Sequence, residues 1–455
     1  MKKKILSMAL ALCLAFGSAA ALPEGTFTDT GTGITASAWG DTYKSGNYEY
    51  KIEDGKATIT KFNGKESNVT IPSKFGKYTV TCIGNQAFAE NKYIKTIKIP
   101  ETVTAIDWGA FKDSIGLSNT ITIPSKVSEI EDYAFSGCIS ITGVVFKDGV
   151  KKEIGENAFS GCKAIKSVDF GKSVINIKGG AFSNCSSIKN VTVPDSVTYI
   201  GGGAFENCIS INSAVIGNGV TEIGNQSFAN CKKLSELSIG NNVTVIDWGA
   251  FKDCVSLPKV TIPAKVSNIE DYAFNSCTKL NKVDIKDGVK KEIGECAFSG
   301  CRALTDLHIA KTVDKIKGSA FNSCISLKSV TIPDSVISLG GGAFENCTSL
   351  KTVVVGNGVE TIGNQAFGNC KSLTNVTLGK KICTIEWGAF KDNTSLTSIV
   401  IPESVRTIED YAFNNCKSMT SAVILGAVEI GSQSFQDCEK LKEVYLTDGN
   451  VTVDD

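Results

Sequence analysis

The sequence predicts a repeat solenoid, in which similar coils stack on one another around a single continuous core. A phenylalanine returns every 22 to 24 residues, and self-similarity at such a period is typical of units that cannot bury their apolar face alone. We therefore expect about sixteen coils with an extended surface, which favours binding over catalysis. The sixteen repeat phenylalanines are Phe88, Phe111, Phe135, Phe159, Phe182, Phe205, Phe228, Phe251, Phe274, Phe298, Phe321, Phe344, Phe367, Phe390, Phe413 and Phe435.

Residues 321–344 show how one coil is built. Val330 and Ile332 stand on either side of a threonine, and this alternation of β-branched residues is typical of a short strand. Pro333 ends the strand, because proline lacks the N–H that would continue a hydrogen-bonded ladder. The glycines at 340–342 supply a permissive backbone in the return segment, which is so short that we expect only a helical or 3₁₀ turn there.

Strands that are one repeat apart run in the same direction, so they must pair in parallel. We expect a β-rich α/β architecture with a parallel sheet on one face and short helical or 3₁₀ turns on the other. The stack is expected to be right-handed, and to curve if the turn side is wider than the strand side. At about 4.8 Å per coil, the sheet should be roughly 75 to 80 Å long.

The motif C-x-x-L-x-x-V-x-I-P, followed by V-x-x-I-x-x-x-A-F, recurs in nearly every unit of residues 77–446. It resembles the bacterial BspA-like class of leucine-rich repeats, and residues 48–76 are similar to the segment that caps such arrays. Pro or Gly stands where the usual leucine-rich signature places Asn after the strand. The resemblance implies a secreted or surface-exposed bacterial protein, often an adhesin for host or neighbouring-cell proteins. It brings no catalytic residues with it.

A second period of six coils overlies the first. The signatures GNQ(A/S)F, (D/E)WGAF and EDYAF recur in that order at offsets of 139 or 140 residues. A block of six coils has therefore been copied, which gives two full blocks and a partial third. The last coil, which ends at Phe435, lacks the insertion found at 147–153 and 286–292, and an atypical final coil suits the end of a solenoid.

Composition indicates one continuous soluble array. Forty-seven basic and forty-seven acidic residues balance and are dispersed, so we expect neither nucleic-acid binding nor attraction to an anionic membrane. No linker interrupts residues 77–446. Residues 22–47 are rich in Gly, Thr, Ser and Asp and are predicted to be flexible, and residues 447–455 are assigned to a C-terminal tail.

Residues 1–21 have the layout of a secretory signal peptide, with three lysines, an apolar run over 5–16 and then the small residues GSAAA. Cleavage after Ala21 fits this layout, and we expect a secreted, cell-surface or periplasmic protein. No later stretch contains eighteen consecutive apolar residues, so no transmembrane segment is predicted.

Seventeen cysteines in an exported chain would usually indicate disulfides. Thirteen of them follow the repeat Phe by three residues, as Cys324 follows Phe321. We interpret these as a ladder of buried free thiols, because side chains in register point the same way rather than at each other, with disulfide bridges as the alternative. No metal site or cofactor is predicted, since no paired Cys-x-x-Cys occurs and His308 is the only histidine.

No catalytic residues are predicted. A triad of the Ser/His/Asp type would depend on His308, which lies at an outward-facing strand position. Pairs such as Glu131 with Asp132 are adjacent on a turn and should diverge, whereas a glycosidase needs two carboxyl groups that converge across a cleft. The glycine runs at 201–203 and 340–342 are interpreted as turns rather than phosphate loops.

Two surfaces are candidates for recognition. On the polar strand face, the central block carries charges on a surface otherwise rich in Ser and Thr, and the predicted binding residues are Lys259, Lys282, Asp284, Asp306 and His308. The alternative is an aromatic patch on the turn side, repeated at about 29 Å, which suits a glycan or a repetitive partner through avidity. Its residues are Trp108, Trp248, Trp387, Tyr133, Tyr272 and Tyr411. Block duplication of packing residues also accounts for this repetition.

These features indicate a secreted, non-enzymatic solenoid that binds an extracellular protein. The alternative function is a carbohydrate-binding or cell-wall-associated scaffold. The sequence does not determine the ligand or the oligomeric state.

Overall fold

The computed structural model of the protein describes residues 42–447 and the backbone of residues 451–453. The signal peptide predicted for 1–21 lies outside these residues, as do most of the segment 22–47 and part of the tail 447–455. The described residues form a solenoid of stacked coils, as the repeat predicts.

An N-terminal cap of antiparallel strands precedes the coils. Strand β1 (Tyr43–Ser45) pairs with β2 (Tyr48–Glu53), and β2 pairs with β3 (Lys56–Phe62), before β3 joins β6 (Tyr78–Ile83) in parallel and starts the stack. Asp54 and Gly55 connect β2 to β3 with φ of 49° and 73°, as a two-residue hairpin turn requires. Within the described residues, the first strand of the cap begins at Tyr43. Its strands are β1 (Tyr43–Ser45), β2 (Tyr48–Glu53), β3 (Lys56–Phe62), β4 (Asn68–Thr70), β5 (Lys74–Phe75) and β6 (Tyr78–Ile83).

The predicted strand of each coil is present, and these strands form the surface that we call the strand face. Their side chains alternate between exposed and buried, as in Ser329–Ile332. The strands are β4, Thr96–Lys98, Thr120–Ile123, Gly143–Phe146, Ser167–Asp169, Asn190–Val193, Ser213–Ile216, Glu236–Ser238, Lys259–Ile262, Lys282–Ile285, Asp306–His308, Ser329–Ile332, Thr352–Val355, Asn375–Thr377, Ser398–Ile401, Ser421–Ile424 and Glu443–Leu446.

The strand face has the expected parallel pairing, but the pairing is interrupted at intervals. After an initial pair, it consists of sheets of three parallel strands, and pairing stops between one group and the next. The last strand of a group often holds its central apolar side chain only partly buried, whereas Val330 in a first strand is 3% exposed. The central side chains of these last strands therefore lie less deeply in the core than those of the other strands. The partly buried residues are Val168, Leu237, Leu307 and Val376.

A second parallel ladder, which we call the return ladder, was not predicted. It continues from β6 with one short strand per coil, and an isoleucine or leucine in nearly every one is buried. Its strands are Ala105–Ile106, Glu129–Ile130, Lys152–Ile154, Val174–Ile177, Tyr199–Ile200, Glu222–Ile223, Val245–Ile246, Asn268–Ile269, Lys291–Ile293, Val313–Ile316, Ser338–Leu339, Thr361–Ile362, Thr384–Ile385, Thr407–Ile408, Val428–Ile430 and Val451–Val453.

The turn side consists of consecutive β-turns instead of the expected helical or 3₁₀ segment, which is not formed within residues 42–447. The amide of Phe344 donates to the carbonyl of Ala366 in the next coil at 2.8 Å, whereas the amide of Glu345 donates to Gly342 in its own turn at 3.0 Å. A 3₁₀ helix requires consecutive bonds of the second kind. Because alternate amides bind the neighbouring coil, the helical pattern cannot propagate.

Two residues in each of these turns have a left-handed backbone, one two positions before the repeat Phe and one two positions after it. Around Phe344 they are Gly342, with φ of 64°, and Asn346, with φ of 61°. Gly, Asn and Asp tolerate this conformation best. Tyr272 adopts it as well, with φ of 60°, so the stacked neighbours impose the turn on a bulky side chain.

The repeat phenylalanines form one continuous stack in the core. Seventeen rings lie in sequence from Phe62 in the cap to Phe435, and adjacent ring centroids are 4.7 to 5.6 Å apart. Such spacing is favourable for aromatic pairs. The stack joins each coil to both of its neighbours.

The cysteine ladder runs beside this stack. Twelve of its thirteen cysteines are buried, Cys438 is partly buried, and all are free thiols. Burial raises the pKa of Cys208 to about 12. The ladder is therefore part of the core, as the spacing predicts.

Two lysines in the repeated insertions are also buried. The ammonium of Lys291 donates to the carbonyls of Ala264 and Val266 at 2.6 Å each, and burial lowers its pKa. Lys152 binds the carbonyls of Ser125 and Val150 in the first block. These insertions are thus anchored by a lysine that bonds to backbone carbonyl groups.

Candidate recognition surfaces

The five predicted binding residues lie together on one three-stranded sheet of the strand face. The register places Lys259, Lys282 and Asp306 in one row across the sheet, and it places Asp284 beside His308 in the next row. The structure therefore brings together residues that are 49 positions apart in the chain, from 259 to 308.

Most charges in this cluster are paired with one another. Lys282 Nζ lies 2.7 Å from Asp306 Oδ2, and Asp284 accepts from Lys286 Nζ at 2.7 Å and contacts His308 Nδ1 at 3.2 Å. The hydrogen bond from Lys286 lowers the pKa of Asp284, and the hydrogen bond to Asp306 raises the pKa of Lys282. Exposed pairs of this kind contribute little to stability, so a charged ligand could displace them at little cost.

A groove of 880 Å³ adjoins this cluster on the strand face. It begins at strand Asp306–His308 and crosses the next three strands of the face, reaching Leu378 and Lys380. Among the predicted binding residues, only His308 lines it. Sequence reasoning missed the groove because it lies where two sheets of the strand face stop pairing, and no residue pattern that we used marks such a break.

The predicted aromatic patch is present as three equivalent triads, each with a lysine that sequence reasoning missed. The rings of Trp248 and Tyr272 are 5.6 Å apart and inclined at 52°, and Lys252 Nζ lies 5.7 and 5.8 Å from their centroids. The spacing WGAFK could have indicated this lysine, four residues after the tryptophan. The other triads are Trp108, Tyr133 and Lys112, and Trp387, Tyr411 and Lys391.

The lysines already occupy the aromatic faces of these triads. A cation over an aromatic ring is attracted by the negative face of the ring, so each triad is internally stabilised. Trp387 remains 36% exposed, which leaves part of the third triad open to solvent.

The paired carboxylates point in different directions, as expected for adjacent turn residues. Glu131 Oε2 accepts from the amide of Trp108 at 2.9 Å, whereas Asp132 Oδ1 accepts from the amide of Glu156 at 2.7 Å. Burial is the largest factor that raises the pKa of Glu131. Both carboxylates bind backbone amides of neighbouring coils and therefore have structural roles.

The residues that the structure describes contain no cluster of three or more His, Cys, Asp or Glu side chains placed to hold a metal ion. They also contain no helix with the length and apolar character needed to cross a bilayer.

The chain is similar in sequence to one protein family and in structure to several solved proteins. The family described as BspA type Leucine rich repeat region matches residues 62–185, 152–281, 267–386 and 343–455. A leucine-rich repeat protein from Bacteroides ovatus is similar in structure, with a TM-score of 0.65 and 26% identity over 88% of this chain and 94% of that chain. A leucine rich cell surface protein from Faecalibacterium prausnitzii is 25% identical over 91% of this chain and 97% of that chain, with a TM-score of 0.38.

Comparison with curated proteins gives no match. The family matches extend from residue 62 to residue 455 and cover most of the sequence. The chain therefore belongs to the BspA-type leucine-rich repeat family.

Proposed function

We propose that this protein binds other proteins at the bacterial surface or outside the cell, in the manner of an adhesin, and catalyses no reaction. The observation that carries the proposal is the strand face. Its inward side chains are buried in the core while its outward side chains are exposed, as Val330 and Thr331 show. A rigid exposed sheet loses little conformational entropy when it binds a partner.

The size of the strand face supports this proposal. At about 4.8 Å per strand, its seventeen strands extend over roughly 75 to 80 Å. A stable protein interface buries about 800 Å² on each partner. The strand face accommodates such an interface without any deep pocket.

The layout of residues 1–21 supports export, and the burial of the ladder thiols is compatible with it. An oxidising compartment converts accessible thiolates to disulfides or to oxidised sulfur species. Burial raises the pKa of ladder thiols such as Cys301 to about 12 and keeps them protonated. A chain with many free cysteines is therefore compatible with a location outside the cell.

The test uses residues 22–455, immobilised and presented with extracellular-matrix and bacterial surface proteins. A protein ligand found in this way should bind less tightly when Lys282→Glu or Asp306→Lys reverses one charge of the exposed pair. The double variant, Lys282→Glu with Asp306→Lys, restores the ion pair with its two charges exchanged. Recovery of binding in this variant would indicate that the ion pair itself is needed, whereas continued weak binding would indicate that the ligand contacts one of these side chains directly. Trp248→Ala on the turn side should leave binding unchanged.

A carbohydrate-binding or wall-associated scaffold is the second candidate. The observation that favours it is the equivalence of the three triads, whose ring separations are 5.8, 5.6 and 5.7 Å. A glycan array decides between the two functions. Binding that is lost in Trp248→Ala but unaffected by both charge reversals would establish the glycan function and overturn the protein function.

A further inference from the structure

We propose that the groove beside His308 binds an extended, acidic segment of a partner protein. We call it the basic groove and define it by Leu307, His308, Lys311, Thr331, Leu378 and Lys380, all of which line it. The inference rests on the proposed function and adds the position of the contact and the chemistry of the ligand. At 880 Å³, the groove is within the volume range of ligand sites.

The length of the groove suits an extended ligand. Asp306–His308 is the last strand of one three-stranded sheet and Ser329–Ile332 is the first strand of the next, and the two do not pair. From this break the groove crosses four strands, about 14 Å at 4.8 Å per strand. An extended segment laid across these strands would contact side chains from each of them.

The ligand must lie across the groove rather than enter the sheet between the two edge strands. The rings of Phe298 and Phe321, in the same two coils, are stacked at 5.3 Å. An inserted strand would need about 9.6 Å between its neighbours, twice the usual strand separation. Thr331, exposed between the partly buried Leu307 and Leu378, is accessible from above.

The charges in the groove select for an acidic ligand. Neither Lys311 nor Lys380 forms an ion pair within residues 42–447. The one carboxylate that lines the groove, Asp334, accepts a hydrogen bond from the amide of Asn357 at 2.7 Å. Two lysines without a partner thus remain beside an apolar floor, which fits a segment that alternates acidic and apolar side chains.

The equivalent positions one block earlier carry different charges, and the break in pairing recurs there between Ser167–Asp169 and Asn190–Val193. At an offset of 139 residues, Lys172 replaces Lys311, whereas Asp169 replaces His308 and Asn241 replaces Lys380. The apolar positions are kept, with Val168 for Leu307 and Ile239 for Leu378. The equivalent positions therefore retain the residue pattern without the excess of positive charge, and they serve as a matched control within the same molecule.

The experiment measures binding of a fluorescent octapeptide that alternates Glu with Val, by fluorescence anisotropy, to residues 22–455. We expect one peptide to bind per chain, and Lys311→Glu with Lys380→Glu to weaken binding at least tenfold. The matched variant, Lys172→Glu with Asn241→Glu, should change the affinity less than twofold. Asp169→His with Asn241→Lys should create a second site and raise the stoichiometry to two. Circular dichroism of each variant checks that it is folded.

Three results would overturn the proposal. A peptide that alternates Lys with Val could bind better than the acidic one, the acidic peptide could fail to bind, or both glutamate variants could lose the same affinity. The last result would indicate a general electrostatic effect. If a protein ligand binds the unmodified chain and the Lys311→Glu, Lys380→Glu variant equally well, the basic groove is excluded while the proposed function stands.

Discussion

The thiol of Cys254 donates a hydrogen bond to the backbone carbonyl of Phe228, one coil earlier in the chain, at 3.3 Å. The cysteine therefore fills a place in the core and also binds the preceding coil. Ser114 and Asn393 stand at the same position of their own coils, and each donates to the carbonyl of the repeat Phe one coil earlier. A hydrogen-bond donor is the property that these three residues share.

The loss of stability on replacing Cys254 should therefore be larger when the new side chain has no hydrogen-bond donor. Cys254→Ala leaves a small cavity and removes the donor, so we expect a loss of about 1 to 3 kcal/mol. Cys254→Ser keeps a donor and should cost less. Native-state hydrogen exchange of amides in the two adjoining coils measures both values, and a serine variant as unstable as the alanine variant would contradict the role of the donor.

Alkylation should distinguish the ladder thiols from the accessible ones. Cys383 is exposed, so iodoacetamide at pH 8 should modify it first in the folded protein, while the buried ladder resists. After denaturation without a reductant, a chain cleaved after Ala21 should take up close to sixteen labels, since Cys13 is the one cysteine removed. Cys383→Ser should abolish the fast label. Mass spectrometry that finds most cysteines bridged would contradict the free-thiol ladder.

Stability should fall in alkaline solution. The pKa of Cys208 is about 12 in the folded chain, against about 8.5 for an ordinary thiol. Above pH 8.5 the unfolded chain loses protons that the folded chain retains, so the stabilisation present at lower pH is lost as the pH rises toward 12. Each such thiol contributes up to about 1.4 kcal/mol per pH unit.

Urea midpoints at pH 7 and pH 10 measure this effect. A variant with serine at Cys185, Cys208 and Cys231 should show a smaller decrease between the two pH values. The same decrease in both proteins would assign the alkaline loss to other groups.

The position of a core deletion along the array should decide its effect. Phe251 stacks on Phe228 at 5.4 Å and on Phe274 at 5.1 Å, so Phe251→Ala should cost about 3 to 5 kcal/mol and divide unfolding into separate transitions. Phe435 has one stacked neighbour, Phe413 at 5.2 Å, and Phe435→Ala should only fray the last coil.

Urea unfolding followed by tryptophan fluorescence tests this prediction, because Trp108, Trp248 and Trp387 report on different blocks. Equal and fully cooperative losses in the two variants would contradict a stack held together by neighbour contacts.

The sequence predicted the features that depend on one coil and its immediate copies. The alternation of Val330 and Ile332 before Pro333 identified the strand, and the spacing of Cys324 from Phe321 identified the thiol ladder. The return ladder was missed because segments such as Ser338–Leu339 are too short to show a period. Their pairing depends on the coils on either side rather than on local propensity.

The candidate site was only partly predictable for the same reason. The register that aligns Lys282 with Asp306 follows from the repeat, and the sequence placed these residues on the strand face correctly. The pairing stops after His308, in a strand whose Leu307 is only partly buried, and no pattern of residue types reveals this break. The basic groove lies at that break. Among the residues that define it, only His308 was predicted to be a binding residue.

The uniform turn side has a genetic consequence. The turn around Phe205, the turn around Phe344 and the other turns present the same left-handed positions and the same amides to the next coil. On this side, one six-coil block can therefore follow another without any change in backbone geometry. Unequal crossing-over between blocks would lengthen or shorten the protein by six coils, about 29 Å, and would preserve these turn contacts. The length of the array can thus change separately from the residues exposed on the strand face.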